Sequence, residues 1–201
     1  MRKLILAISL TASMPSGAVV SENVTYSSYD VNVAKGLSIA RALQKATPHR
    51  VGDQTFYGFT TWNVFTSFQS HIEPNGSCRI VEVETKFSVN IDLPTLVGAN
   101  SRQSTEFDTF LDALRVHEFG HYSIGKEAAV AIDAKISTLP EMKSCKALDA
   151  AAGLANSEIM REFEARGANY DVQTDHGKTQ GAWINDRRKP IQSQVMPPRS
   201  S

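Results

Sequence analysis

The chain has 201 residues, 41% of them hydrophobic and 21% charged, with 21 basic residues against 21 acidic ones. That length is one domain able to bury a core of its own. Zero net charge excludes the basic excess or basic stripe of a nucleic-acid binder.

Residues 1–18 have the three-part layout of a secretory signal peptide. Met1-Arg2-Lys3 is positive, LILAISLTA is a short apolar run, and small residues lead to a cleavage position after Ala18. The run is too short to span a bilayer, and no later segment approaches the ~20 apolar residues that spanning requires. The expected mature chain starts near Val19 and is exported, to a periplasm or out of the cell, without stable membrane insertion. In an oxidising compartment Cys78 and Cys145 read as one disulfide; neither has the C-x-x-C spacing of a zinc knuckle or redox motif.

VTYSSYDVNV (24–33) is β-branched and aromatic and reads as a strand. GLSIARALQKA (36–46) has helical spacing and stops at Thr47-Pro48. TFYGFTTWNVFTSFQS (55–70) reads as one or two strands. Glu73-Pro74-Asn75-Gly76 is a turn that makes the strands on either side an antiparallel hairpin. In 78–93 apolar positions from Val81 to Leu93 alternate with polar ones, a strand with one buried face, ended by Pro94. This long strand is also a candidate edge for an extended peptide.

From Phe107 to Ile136 apolar residues recur at three- and four-residue steps, predicting a helix over 105–138 with Ser104 or Thr105 as N-cap and Leu139-Pro140 as its stop. A further helix over 144–166 ends at Gly167. Strands first and helices after give an α+β domain over 19–184, with an antiparallel sheet packed on a long helix and a second, C-terminal helix. Residues 185–201, with the basic cluster Arg187-Arg188-Lys189, form a polar, disordered tail.

The predicted long helix carries His117-Glu118-Phe119-Gly120-His121. Residues four apart lie roughly 40° apart around a helix and about 6 Å along it, so two imidazoles can converge on one ion. Glu118 then points to the side, where it reaches water without binding the metal. This division of labour is that of a zinc hydrolase, with Zn2+ as cofactor and Glu118 as general base.

A third ligand is required. Glu127 is disfavoured, because a ligand there needs a glycine at position 124 for the chain to turn back, whereas Ile124 stands there and helical periodicity continues. Glu158, Glu162 and Glu164 on the next helix are alternatives. The preferred ligand is His176, in YDVQTDHGKTQG (170–181), a loop able to fold over the active-site helix. There Asp171, Thr174 and Asp175 are candidates to hold the far ring nitrogen of a ligand, and Tyr170 is a candidate oxyanion donor. His49 and His71 read as ordinary surface residues.

Together, the leader, the strand ending in NIDLP, RVHEFGHYSIG and YDVQTDHGKTQGA resemble the bacterial predicted secreted zinc-dependent proteases, long catalogued as a domain of unknown function. The resemblance covers about residues 26–183. It implies a zincin-like domain with zinc on His117 and His121, Glu118 as catalytic base and His176 as third ligand. The expected function is a zinc-dependent endopeptidase acting on a peptide or protein. The rivals are a zinc amidase acting on cell-wall peptides and an exported, non-catalytic zinc-binding or interaction module.

Overall fold

The computed structural model describes residues 20–33 and 37–185. The signal-peptide reading of 1–18 and, apart from Asn185, the tail reading of 185–201 lie outside the described residues. The fold is α+β, as the order of elements predicts. Strand β1 is Ser21–Asn32, helix α1 Ile39–Ala46, β2 Arg50–Val51, β3 Gln54–Thr55, β4 Phe59–Ile72 and β5 Cys78–Val97. The long helices are α2, Ser101–Ser137, and α3, Cys145–Thr174, followed by a 3₁₀ turn, Lys178–Gln180.

The main sheet has the order β1-β5-β4, with β4 antiparallel and β1 parallel to β5. The sheet is therefore mixed, not purely antiparallel. The hairpin forms as its turn sequence predicts, but β1 reaches β5 across more than sixty residues, a pairing that no local signal encodes. β5 is the central strand, flanked by both neighbours over residues 86–92, so that part of 78–93 is not the edge proposed; within the sheet, residues 78–85 pair with β4 alone.

β5 also runs through Pro94 to Val97. Its pairing with β4 ends at Asp92 opposite Phe59, whereas Pro94 is opposite Tyr29 of β1. The missing N–H thus falls where β5 has a neighbour on one side only, the setting in which a sheet tolerates proline. A bulge between Gln69 and Ser70 pairs these residues with Glu82 and Ile80, leaving Val81 unpartnered. The extra residue resets the alternation, so Ile80 and Val83 pack inward while Val81 is 51% exposed.

α2 starts at Ser101, four residues before the predicted 105, and its N-cap is Asn100 and not Ser104 or Thr105. Asn100 accepts from the Gln103 backbone N–H at 3.0 Å, and Gln103 Oε1 accepts from the Asn100 N–H at 3.0 Å. This reciprocal capping box satisfies two of the free donors of the first turn. At 37 residues the helix is about 55 Å long, and it serves two apolar clusters. Phe107, Phe110 and Leu114 pack with Val31, Leu43, Ala182 and Ile184. Ala129, Ile132 and Ile136 pack with Phe87, Val89, Ile91 and Ala152. The histidine motif lies between the two clusters.

Cys78 and Cys145 form a disulfide. Among the described residues no helix is long and apolar enough to cross a membrane.

Candidate metal centre

α3 does not stop at Gly167. It continues for two turns, because Tyr170 and Thr174 pack on α2, and such tertiary contact outweighs the roughly 1 kcal/mol that glycine costs a helix. The extension brings Asp171 over the histidine pair. Asp171 Oδ1 lies 3.2 Å from His117 Nε2 and 2.9 Å from His121 Nε2. These three residues form a cluster whose ligand atoms all lie within 4.8 Å of one another.

α3 then ends in a Schellman motif. The His176 N–H donates to Asp171 O at 2.9 Å and the Asp175 N–H to Val172 O at 3.3 Å. Asp175, His176 and Gly177 have φ of 46°, 50° and 84°, three left-handed residues in succession. Left-handed backbone at a non-glycine residue such as His176 is costly and persists where its surroundings impose it. Here it turns the chain back over α2. His176 Nδ1 is buried, has no hydrogen-bond partner, and lies 3.6 Å from Asp171 Oδ1. Its ring meets Phe56 edge-on, with centroids 5.1 Å apart. Three histidine nitrogens thus surround one carboxylate oxygen.

Burial alone would raise the pKa of Asp171. The hydrogen bonds and charges of His117 and His121 outweigh it and hold the carboxyl well below the usual carboxylate range. Burial pulls the pKa of His117 down, but its bond to Asp171, the nearby Glu118 and the bond to Gln180 leave it raised overall.

Glu118 is 3% exposed, and burial raises its carboxyl above the ordinary value against the lowering effects of Thr60, His117 and His121. The Thr60 hydroxyl donates to Glu118 Oε2 at 2.7 Å. A Cβ on Gly58 would stand 2.4 Å from Glu118 Oε1, so this glycine lets the chain entering β4 close against the carboxylate. Gly120 has a matching use on the helix: a Cβ there would stand 2.2 Å from the Tyr170 hydroxyl. Without one, the Tyr170 ring stacks on His117 and meets His121 edge-on, with both centroid distances 5.1 Å.

The roles expected for neighbouring residues change accordingly. Asp171 faces the Nε2 atoms of His117 and His121, in ligand position rather than behind a ligand. The far nitrogen, His117 Nδ1, is held by Gln180 Oε1 at 3.0 Å, with Thr174 Oγ1 at 3.4 Å. Thr174 is one of the residues expected in that role, whereas sequence reasoning passed over Gln180, whose signal was a polar side chain in the same glycine-flanked segment as His176. Asp175 supports no ligand, because its exposed carboxylate bonds Lys178 Nζ at 3.0 and 3.1 Å. The Tyr170 hydroxyl donates to His117 O at 3.2 Å.

Glu127 pairs with Arg166 at 2.7 Å, and Glu158, Glu162 and Glu164 are exposed and outside the cluster. His71 is exposed as expected. His49 is half-buried and engaged, not an ordinary surface residue: its ring stacks on Phe59, and Nε2 lies 2.6 Å from Asp92 Oδ2.

The donor set fits zinc. Imidazole nitrogens and a carboxylate are its ordinary ligands, and bonds of about 2.0–2.1 Å place tetrahedral donors about 3.3 Å apart, close to the 3.2 and 2.9 Å that separate Asp171 Oδ1 from His117 and His121. A separate groove of about 810 Å³ is bounded by Tyr26, Leu93, Phe107, Leu111, Arg115 and Phe119. Phe119 is two residues from each histidine, roughly 160–200° around the helix. That groove therefore belongs to another face of α2 and not to this centre.

A family model described as a bacterial protein of unknown function, DUF922, matches residues 26–177. The match takes in every residue of the cluster and stops three residues before Gln180. No curated protein and no solved structure matches the chain.

Proposed function

The chain belongs to the DUF922 family of bacterial proteins of unknown function, and we propose that it is an exported zinc-dependent endopeptidase with a zincin-like site. The observation that carries this reading is the cluster itself. Two histidines one helical turn apart share an acidic partner, a third histidine presents a buried, unpartnered nitrogen to the same point, and a buried glutamate follows the first histidine. Structural zinc sites are usually rich in cysteine and fill all four positions. Here both cysteines are in a disulfide instead, which also suits an oxidising compartment.

His117 Nε2, His121 Nε2 and Asp171 Oδ1 would hold the ion, with His176 Nδ1 as the competing third donor. When bound, zinc supplies Lewis acidity and makes water acidic near neutral pH. The protein residues do the rest. Glu118 accepts the proton as water adds to the scissile carbonyl, then delivers it to the amine as the C–N bond breaks. Burial, which raises its carboxyl above the ordinary carboxylate value, favours its taking up the proton. Thr60, bonded to Oε2, limits the rotation of the carboxylate.

The test is cleavage of an unfolded protein by the zinc-loaded chain, compared with Glu118→Gln. An endopeptidase loses about 10²- to 10⁴-fold in rate and keeps its zinc. Equal zinc in both proteins with no cleavage by either would leave a non-catalytic zinc protein. Cleavage confined to short cell-wall peptides would make it an amidase.

A further inference from the structure

Building on the zinc reading, we propose that Gln180 is a positioning residue that selects the metal-binding tautomer of His117. An imidazole coordinates through a lone pair, so a His117 that ligates through Nε2 must carry its hydrogen on Nδ1. Every partner around Nδ1 is arranged to accept that hydrogen. Gln180 Oε1 is 3.0 Å away and Thr174 Oγ1 is 3.4 Å away. The Thr174 hydroxyl hydrogen goes elsewhere, to Tyr170 O at 2.7 Å, so its oxygen meets Nδ1 as an acceptor.

The orientation of the Gln180 amide is fixed by a closed circuit. Gln180 Nε2 donates to the Tyr170 hydroxyl at 3.0 Å, and that hydroxyl donates to His117 O at 3.2 Å, nearer than Gln180 Oε1 at 3.4 Å. With Nε2 engaged on Tyr170, Oε1 is the atom left for His117. The circuit can close because Gly177 fits against the histidine, where a Cβ would stand 3.0 Å from His117 Cγ. The segment after α3 therefore does two things at one site: it brings His176 to the cluster and sets which nitrogen of His117 faces the ion.

Zinc affinity of the full mature chain, measured by chelator competition for the wild type, Gln180→Leu and Gln180→Glu, tests the proposal. Gln180→Leu should bind about 10- to 100-fold more weakly. Gln180→Glu should recover most of that loss, because a carboxylate accepts from Nδ1–H although it cannot donate to Tyr170. A merely structural role through the Tyr170 contact predicts no such recovery. Solvent exchange of the His117 Nδ1–H proton in the zinc-loaded chain gives a second readout, slow in the wild type and faster in Gln180→Leu. Unchanged affinity in Gln180→Leu, a Gln180→Glu as weak as Gln180→Leu, or equal Nδ1–H exchange in the wild type and Gln180→Leu would each overturn the proposal. A wild type that takes up no zinc would instead defeat the zinc reading on which the proposal rests.

Discussion

The two ends of the α2–α3 pair are joined by opposite chemistries. At one end Ile132, Ile136, Leu148 and Ala152 are buried, the disulfide ties the start of α3 to β5, and Cys78 exchanges backbone hydrogen bonds with Met142 at 2.8 and 2.9 Å. At the other end the helices meet through Asp171, Tyr170, Thr174 and Gln180 against His117 and His121. Apolar contact is non-directional and can repack. A polar circuit works only when each donor has its acceptor. The first end therefore carries stability, and the second fixes geometry.

This division predicts that the two ends respond differently to damage. The largest stability effect should come from the disulfide end. Replacing Cys78 and Cys145 with serine opens a loop of 67 residues, which the chain-entropy model values at about 4 kcal/mol. Denaturant unfolding should show that loss, while zinc affinity of the folded fraction stays within a few-fold of the wild type. A large fall in affinity would mean that the ends are coupled and the division is wrong.

Gly120→Ala should do the reverse. The added Cβ displaces Tyr170, so zinc affinity falls at least tenfold, while stability falls by an overpacking cost of about 1–3 kcal/mol. Calorimetry alongside chelator competition separates the two. A variant with wild-type zinc affinity would show that Tyr170 does not hold the site.

The smallest effect is on pH dependence, and only in metal-free protein. The carboxyl of Asp171 is depressed, so its contribution is present above the unfolded value of 3.8 and lost as pH falls toward its folded value. His117 is raised, so its contribution is present below the unfolded value of 6.5 and lost as pH rises through its folded value. Thermal stability of the metal-free chain should therefore peak between about pH 4 and 6.5. With zinc, which needs neutral histidines, the stabilisation should instead grow with pH up to neutrality. A metal-free chain with its maximum well above pH 7 would contradict the Asp171 pairing.

Some of this molecule was legible in its sequence and some was not. His117, Glu118 and His121 could be read because four-residue spacing on a helix is local geometry. The hairpin and the two long helices were readable for the same reason. The parallel pairing of β1 was not, because it joins residues more than sixty positions apart. Nor was the place of Asp171, which depends on α3 continuing past Gly167 under the hold of contacts with α2. Gln180 gave the weakest signal, since a neutral amide acquires its role only from what it faces. The disulfide followed from an even cysteine count, whereas His49 was misread because its partner, Asp92, lies on a distant strand.

The most direct measurement is the zinc content of the purified mature chain after saturation and removal of excess metal, with a His121→Ala variant beside it. The account predicts one zinc per chain in the wild type and none in the variant. No zinc in either, or equal zinc in both, would contradict it and leave His117 and His121 as partners of Asp171 in a polar joint between two helices.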